Sequence, residues 1–455
     1  MTRTLQPALK RSGRQLAIWG IGYIGYSSMA NFAREGINCI GYDKSAKVVD
    51  DILSNGKSGI PNIEYWLDFD VAPLTKQGLI KATTDKTQLL NASVAVHLIA
   101  VPTERHGLPY NGALQEVLES IFCYYNENKN ISAPIVIIES TISPNIIKGV
   151  IMPLAERYHI DFNRDLFLSV APRRDWFVSP DKTLRTLPRV VGGVTDKATK
   201  LALDALSIVC DNLLPAHDAR HACLVKSVEN AYRQLNITFA NQLTLAYPDI
   251  NMIEVLKLAG TKWNVETYHP SFGAGGYCIP LAPYYVIDGA TKPNELSVLK
   301  KSIQANSEQP KRVADFLIKQ GFKNIGILGL AYTQDIKVDI LSPTTIIVDK
   351  LLNDGQDMTV KINDPLYSDK EIKQIIKTPS FNFPEELEQF DAILLVSPHA
   401  IYKSTPITDI IRHMTSCRLI LDNMGAWRNN LKLFNDAGIN YHEAGDTFWL
   451  SKPIQ

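Results

Sequence analysis

The chain has no surplus of either charge: Lys and Arg together number 47 and Asp and Glu together 47 in 455 residues. No global charge therefore draws it to nucleic acid or to an anionic membrane surface. It also lacks any run of about 18 apolar residues, the length a membrane-spanning helix needs, and no apolar stretch follows the basic opening MTRTLQPALKRSGR as a signal peptide would require. The expectation is a cytoplasmic protein with no membrane partner. Cysteine is sparse. Cys39, Cys123, Cys210, Cys223, Cys278 and Cys417 are scattered with no C-x-x-C pair, which speaks against a disulfide framework and against a metal site. What is present is an apolar fraction of 45%, typical of globular chains, on a length suited to two or three domains.

The strongest local pattern is RQLAIWGIGYIGYSSMANFAREGINCIGYDKS. It reads as a strand over 16–19, a glycine turn, a helix over about 23–34 and a second strand ending at Asp43. Gly20, Gly22 and Gly25 form G-x-G-x-x-G. The first permits the tight turn, the second lets backbone approach a pyrophosphate, and the third lets helix and strand pack closely. Tyr23 and Ile24 open the helix beside the expected phosphates. Asp43, 18 residues beyond Gly25, is placed to accept ribose hydroxyls and to repel a 2′-phosphate, so the expected cofactor is NAD rather than NADP; the adjacent Lys44 would soften that preference.

Two further runs, SVAVHLIAVPT at 93–103 and APIVIIESTISP at 133–144, are nearly all apolar, as parallel strands buried on both faces should be. Ligands in such sheets sit beyond the carboxyl ends of the strands. Thr103, Ser140 and Thr141 fall there, either meeting cofactor and substrate or capping turns. From 221 to about 258 the period is helical with a break near Pro248, and Leu224, Val228, Ala231, Leu235, Thr238 and Phe239 recur at spacings of three and four. Lys226 and Asn230, four apart, share one face. The second half repeats the strand pattern in FKNIGILGLAYTQD, MTVKINDPL, FDAILLVSPHA and CRLILDNMGAW, with Gly326 and Gly329 but no third glycine. This unit is expected to hold a substrate nucleotide or to support the fold. The fold class expected is α/β, two Rossmann-like domains with parallel sheets joined by a long central helix, divided as 1–215, 216–310 and 311–455.

Between the halves lies PSFGAGGYCIPLAPYYV at 270–286. Cys278, behind three glycines, could be a packed thiol or a nucleophile.

The ordered motifs GIGYIG, GKSGIPNIEYWL, AVPT, ESTISP, VKSVENAYRQLNITFANQ, GAGGYCIP and GLAYTQD resemble the UDP-glucose/GDP-mannose dehydrogenase family over nearly the whole chain, and most of all its branch acting on UDP-N-acetylhexosamines. The resemblance implies NAD-dependent oxidation of a nucleotide sugar at C6, from alcohol to aldehyde and on to carboxylate through a cysteine thioester. It implies Cys278 as nucleophile, Lys226 and Asn230 as stabilisers of developing charge, Thr141 as a placer of substrate and water, and a homodimer made by the central helix. Substrate is expected at Arg173, Arg174, Trp176, Phe177, Lys226, Asn230, Phe272, Gly273 and Gly275.

The departures from the family pattern are as specific. APRRDWF carries Arg173 where the family has Glu, CIPLA carries Ala282 where it has Asp, and YTQDIKVDILSP carries Thr333 and Ile340 in place of a Lys and an Arg. Arg173 or Arg174 is expected to meet an anionic group on the substrate, since arginine forks bind phosphate and carboxylate bidentately. Asp175 is the candidate substitute acid. The alternatives are an altered oxidoreductase that stops at the aldehyde or takes a related phosphorylated substrate, and a non-catalytic nucleotide-binding homologue. A dehydrogenase of the 3-hydroxyacid or 6-phosphogluconate kind would not need a cysteine behind G-x-G-G.

Overall fold

The computed structural model describes residues 13–61, 63, 67–175 and 182–446; Trp176 and Phe177 lie outside them. The chain divides into two compact units, Met1–Glu229 with Tyr284–Pro293, and Asn230–Pro283 with Asn294–Gln455.

The first unit is built on an eight-stranded sheet. Its strands are β1 (Gln15–Trp19), β2 (Asn38–Tyr42), β3 (Ile80–Thr83), β4 (Val94–Ile99), β7 (Ile135–Ile138), β8 (Phe167–Val170), β9 (Arg189–Gly193) and β10 (Leu213–Pro215). A short hairpin, β5 (Glu104–Arg105) with β6 (Leu108–Pro109), follows β4. The order across the sheet is β10-β9-β8-β7-β4-β1-β2-β3. All pairs are parallel except β8 with β9, which run antiparallel through Ser169 opposite Gly193. Side chains alternate between faces along a strand. Leu16 and Ile18 enter one core cluster and Ala17 and Trp19 another. Every residue of β4 is buried, which is why that strand reads as an apolar run broken only by His97.

The second unit carries a five-stranded parallel sheet, β11 (Asn324–Leu328), β12 (Thr359–Asn363), β13 (Ala392–Leu395), β14 (Leu419–Asp422) and β15 (Asn440–Glu443), in the order β12-β11-β13-β14-β15. Two apolar clusters again flank it. One contains Ile325 and Ile327 with Val313 and Leu317 of the helix Ser297–Lys319, the other Leu328, Ile393 and Leu395.

The long helix runs Ala219–Ala246, and the boundary between the units falls within it. After Pro248 a second helix, Met252–Ala259, starts on Asn251, whose side chain accepts the amides of Ile253 and Glu254 at 3.0 and 3.2 Å. Of the apolar series expected on the long helix, Ala231 and Thr238 are buried, Val228 and Leu235 half-buried, and Leu224 and Phe239 exposed. The buried face carries Ser227, Asn230, Gln234, Thr238, Asn241 and Thr244, whereas Tyr232 and Phe239 are 64% and 60% exposed. No helix among the described residues is long and apolar enough to cross a membrane.

Candidate active site

The glycine turn of the first unit is shaped as its sequence requires. Gly20 has φ +86, and a Cβ there would stand 2.7 Å from the carbonyl oxygen of Ala100; one at Gly25 would collide with the carbonyl oxygen of Gly20. At Gly22 the same test meets nothing within 4 Å, so a side chain would fill open space beside the start of the helix Tyr23–Arg34. A phosphate approaches backbone amides in that place. Asp43 follows β2, and its carboxylate accepts the amides of Ile21 at 3.1 Å and Ser45 at 3.0 Å. Lys44 is turned to Glu116 at 2.7 Å. These residues fit a dinucleotide.

Beyond β4 and β7 the expected hydroxyl-bearing residues converge. Thr103 Oγ1 donates to the carbonyl of Thr141 at 2.6 Å, and the Tyr285 hydroxyl donates to the carbonyl of Thr103 at 2.7 Å. Ser140 Oγ donates to the carbonyl of Val101 at 2.7 Å. Thr103 and Ser140 thus brace the two turns, leaving Thr141 half-exposed between them. Tyr285 had no signal of its own in composition or spacing.

The structure reassigns Arg173. Its side chain is buried, and its fork closes on Asp175, Nε to Oδ1 at 2.8 Å and Nη2 to Oδ2 at 2.5 Å. Nη1 and Nη2 also donate to Ser28 and Ser27 at 2.6 and 2.7 Å. Ser28 in turn donates to Glu139 at 2.6 Å, and Arg189 pairs with Glu139 at 2.6 Å. Two guanidinium groups and two carboxylates therefore form one buried network beneath the glycine-turn helix. Burial opposes the charge on Arg173, but Asp175 outweighs it and the guanidinium pKa rises; burial likewise pushes Asp175 up, yet Arg173 holds it below the ordinary carboxylate value. The expected substrate contact for Arg173 is corrected to this internal role, because its donors point into the unit. Asp175, fully engaged, is equally corrected as a substitute base. Arg174 is different: it is partly exposed, donates to the carbonyl of Pro188 at 2.8 Å and pairs with Glu229 at 2.7 Å. Lys226 and Glu229 lie three apart on the long helix and Asn230 one residue further; Lys226 is half-buried and Asn230 buried.

In the second unit, the loop leading to Cys278 is held by side-chain amides. Asn241 accepts the amide of Ser271 at 2.7 Å and Gln309 donates to the carbonyl of Ser271 at 3.1 Å. Asn423 accepts the amide of Phe272 at 2.7 Å. Phe272 itself is a core residue, its side chain packed into the second unit. Gly273 has φ +130, and Gly275 lies so close to the 332–341 segment that a Cβ would come 2.7 Å from the carbonyl oxygen of Leu341. Gly276 donates to the carbonyl of Ile340 at 2.9 Å. Cys278 emerges exposed at the end of this loop. Burial raises the thiol pKa at Cys39, Cys210, Cys223 and Cys417, the last to about 12, and a hydrogen bond to Glu127 raises that of Cys123. Four of the six cysteines are packed thiols; Cys278 is not.

The second sheet repeats the first turn. Gly329 has φ +103 and donates to the carbonyl of Asn363 at 2.8 Å, as Gly20 does to Tyr42 at 2.8 Å. Asp364, after β12, accepts the amides of Leu330 at 2.7 Å and Ala331 at 2.9 Å. It is buried against His399, whose Nε2 lies 3.1 Å away while its Nδ1 accepts the amide of Asp335 at 2.9 Å. Burial raises the Asp364 pKa, but His399 and the amides reverse this and hold it low.

A glycine-turn dinucleotide fold followed by a second unit with a five-stranded parallel sheet and an exposed cysteine on a glycine loop fits an NAD-dependent dehydrogenase, and likeness to known proteins makes it one that acts on nucleotide sugars. Residues 14–208 match the NAD binding domain of the UDP-glucose/GDP-mannose dehydrogenase family, 220–308 its central domain and 326–429 its UDP binding domain; the chain belongs to this family. It is 27% identical to the UDP-N-acetyl-D-mannosamine dehydrogenase of Methanococcus aeolicus over 99% of this chain and 100% of that one. It is 31% identical to the enzyme of the same name from Campylobacter jejuni, over 75% of this chain and 84% of that one. In fold it is similar to the UDP-D-ManNAc dehydrogenase of Pyrococcus horikoshii, with a TM-score of 0.77 at 24% identity, covering 95% of this chain and 100% of that one.

Proposed function

We propose that the chain oxidises UDP-N-acetyl-D-mannosamine at C6 in two NAD-dependent steps, giving the uronate through a thioester on Cys278. The observation that carries this reading is the exposed Cys278 at the end of a loop fixed from several sides. The names of the relatives over nearly the full chain support the choice of sugar. Gly20, Gly22, Tyr23, Ile24, Gly25 and Asp43 would hold NAD, which when bound would supply the hydride acceptor. In the first oxidation C6 loses a hydride and its hydroxyl proton to become an aldehyde. The Cys278 thiolate then adds to that carbon, and the hemithioacetal loses a second hydride and its hydroxyl proton to give the thioester. Water cleaves the carbon–sulfur bond, releasing carboxylate and restoring the thiol. The Lys226 ammonium and the Asn230 amide stabilise the oxyanion that develops at C6, the kind of preorganised charge that contributes most to such steps. Thr141 places the reacting group, and Arg174, Gly273 and Gly275 line the substrate's path.

A second reading, oxidation that stops at the aldehyde, is favoured by one observation: the two positions where the family carries hydrolytic carboxylates are Arg173, locked onto Asp175, and Ala282, buried at the start of the helix Ala282–Asp288. Counting NADH per UDP-N-acetyl-D-mannosamine consumed, with product mass, separates the two. Two NADH and a carboxylate support the full oxidation, one NADH the aldehyde, and none overturns the substrate.

The enzyme works as a cytoplasmic homodimer in this proposal. Val225, Tyr232 and Phe239 recur every seven residues on the long helix and are 37%, 64% and 60% exposed, a stripe that pairing two such helices would cover. A monomer in sedimentation analysis would overturn this.

A further inference from the structure

We infer that Asn306 is a positioning residue for the Cys278 loop, an inference resting on the reading of Cys278 as the nucleophile. Asn306 lies on the helix Ser297–Lys319, four residues before Pro310 within that helix. Proline has no amide to give the carbonyl four residues back, so the Asn306 carbonyl lacks its usual helical donor at this point. The loop sits against this part of the helix: a Cβ on Gly273 would lie 3.3 Å from Pro310 Cδ and 3.6 Å from the carbonyl oxygen of Asn306. The Asn306 side chain then takes both backbone groups of the next residue, accepting the amide of Ala274 at 2.8 Å through Oδ1 and donating to its carbonyl at 3.2 Å through Nδ2. This two-way bond has the pattern by which paired strands hold each other. The far side of the loop is fixed by Gly276 on Ile340 and by the ring of Tyr332, 2.7 Å from a Cβ at Gly276. Asn241, Gln309 and Asn423 anchor Ser271 and Phe272, at the root of the loop. Asn306 alone among these amides grips the glycine run itself, four residues from the thiol. A planar amide with both ends engaged leaves Ala274 one orientation, and the direction in which the chain leaves Gly276 toward Cys278 follows from it.

The test compares full-length wild type, Asn306→Ala and Asn306→Asp. With UDP-N-acetyl-D-mannosamine and NAD, Asn306→Ala is expected to lose about 10- to 100-fold in kcat, the scale of a misplaced reacting group, with KM for NAD and the melting temperature close to wild type. Asn306→Asp, which keeps the acceptor for the Ala274 amide, is expected to fall between the two. Independently, the rate at which iodoacetamide alkylates Cys278, read by peptide mass spectrometry with Cys123 as the internal reference, is expected to shift several-fold in Asn306→Ala. Wild-type kcat and wild-type alkylation in a folded Asn306→Ala protein overturn the inference, as does a kcat loss that only tracks loss of folded protein. If the wild type does not turn over UDP-N-acetyl-D-mannosamine, the proposed substrate fails and the alkylation rate alone decides the role of Asn306. If Asn306→Ala does not fold, Asn306→Asp is read in its place by the same criteria.

Discussion

Arg173 and Asp175, two residues apart, close a bidentate ion pair of 2.8 and 2.5 Å with both side chains almost wholly buried. Removing one partner of such a pair strands the other charge in the interior, at a cost of about 3–5 kcal/mol. Arg173→Ala is therefore expected to lower the unfolding free energy obtained from urea denaturation by that order while KM for the nucleotide sugar stays near wild type. A large rise in KM with unchanged stability would return Arg173 to the substrate.

Asp43 is expected to set cofactor affinity. Its carboxylate already receives two backbone amides, and hydrogen bonds to a charged group contribute about 1.5–3 kcal/mol each. Asp43→Ala should weaken NADH binding, followed by fluorescence, by about tenfold or more and reduce the preference over NADPH. Unchanged affinity would place the ribose elsewhere.

Cys278 should be the cysteine that reacts first. The thiolate is the reactive species and burial disfavours it, so Cys39, Cys210, Cys223 and Cys417 should remain unlabelled in the native protein. Brief treatment with iodoacetamide is expected to add one carboxamidomethyl group, on Cys278, and to abolish NADH production. Full activity after complete labelling of Cys278 would remove the thiol from the chemistry.

His97 predicts an acid-labile first unit. It is completely buried in β4, accepting from the Trp19 indole at Nδ1 at 3.1 Å with its Nε2 3.2 Å from the Tyr125 hydroxyl, and burial lowers its pKa from 6.5 to about 3. The unfolded chain takes up this proton below pH 6.5 and the folded one does not until about 3, so stability falls as pH drops through that window, by up to about 1.4 kcal/mol per unit from this group. His97→Gln should flatten the decline in urea midpoint between pH 7 and pH 5. An unchanged slope would show that His97 does not control it.

The glycine turn was legible because its demands are local: the strand, the three glycines and Asp43 lie within 29 residues, and Gly20 and Gly25 each answer a clash the chain makes with itself. The break near Pro248 was legible for the same reason. Arg173 was not. Its partners Ser27 and Ser28 are 146 and 145 residues away, and an arginine following a strand looks the same in sequence whether it faces ligand or core. The long helix misled in the other direction, since its polar side is buried and its aromatics exposed, the reverse of what burial of apolar surface predicts for an isolated amphipathic helix. Asn306, Asn241 and Asn423 gave no signal at all, because a lone amide on a helix or after a strand is ordinarily a solvent-facing residue; only the folded chain shows that each is spent on a backbone group of one loop. The edge strands β3, β10 and β15 were missed because four or fewer residues, several of them polar, do not establish a period.

The second sheet's glycine turn sets a stoichiometry. The carboxylate of Asp364, itself fixed by His399, takes the amides of both Leu330 and Ala331, whereas Asp43 takes that of Ile21 in the first turn, and Ala331 brings a methyl group where the first turn has Gly22. A pyrophosphate approaching this turn as it would the first one meets that methyl group and a buried carboxylate that holds both amides. NADH is therefore expected in the first turn and not the second, and a calorimetric titration with NADH should saturate at one equivalent per chain.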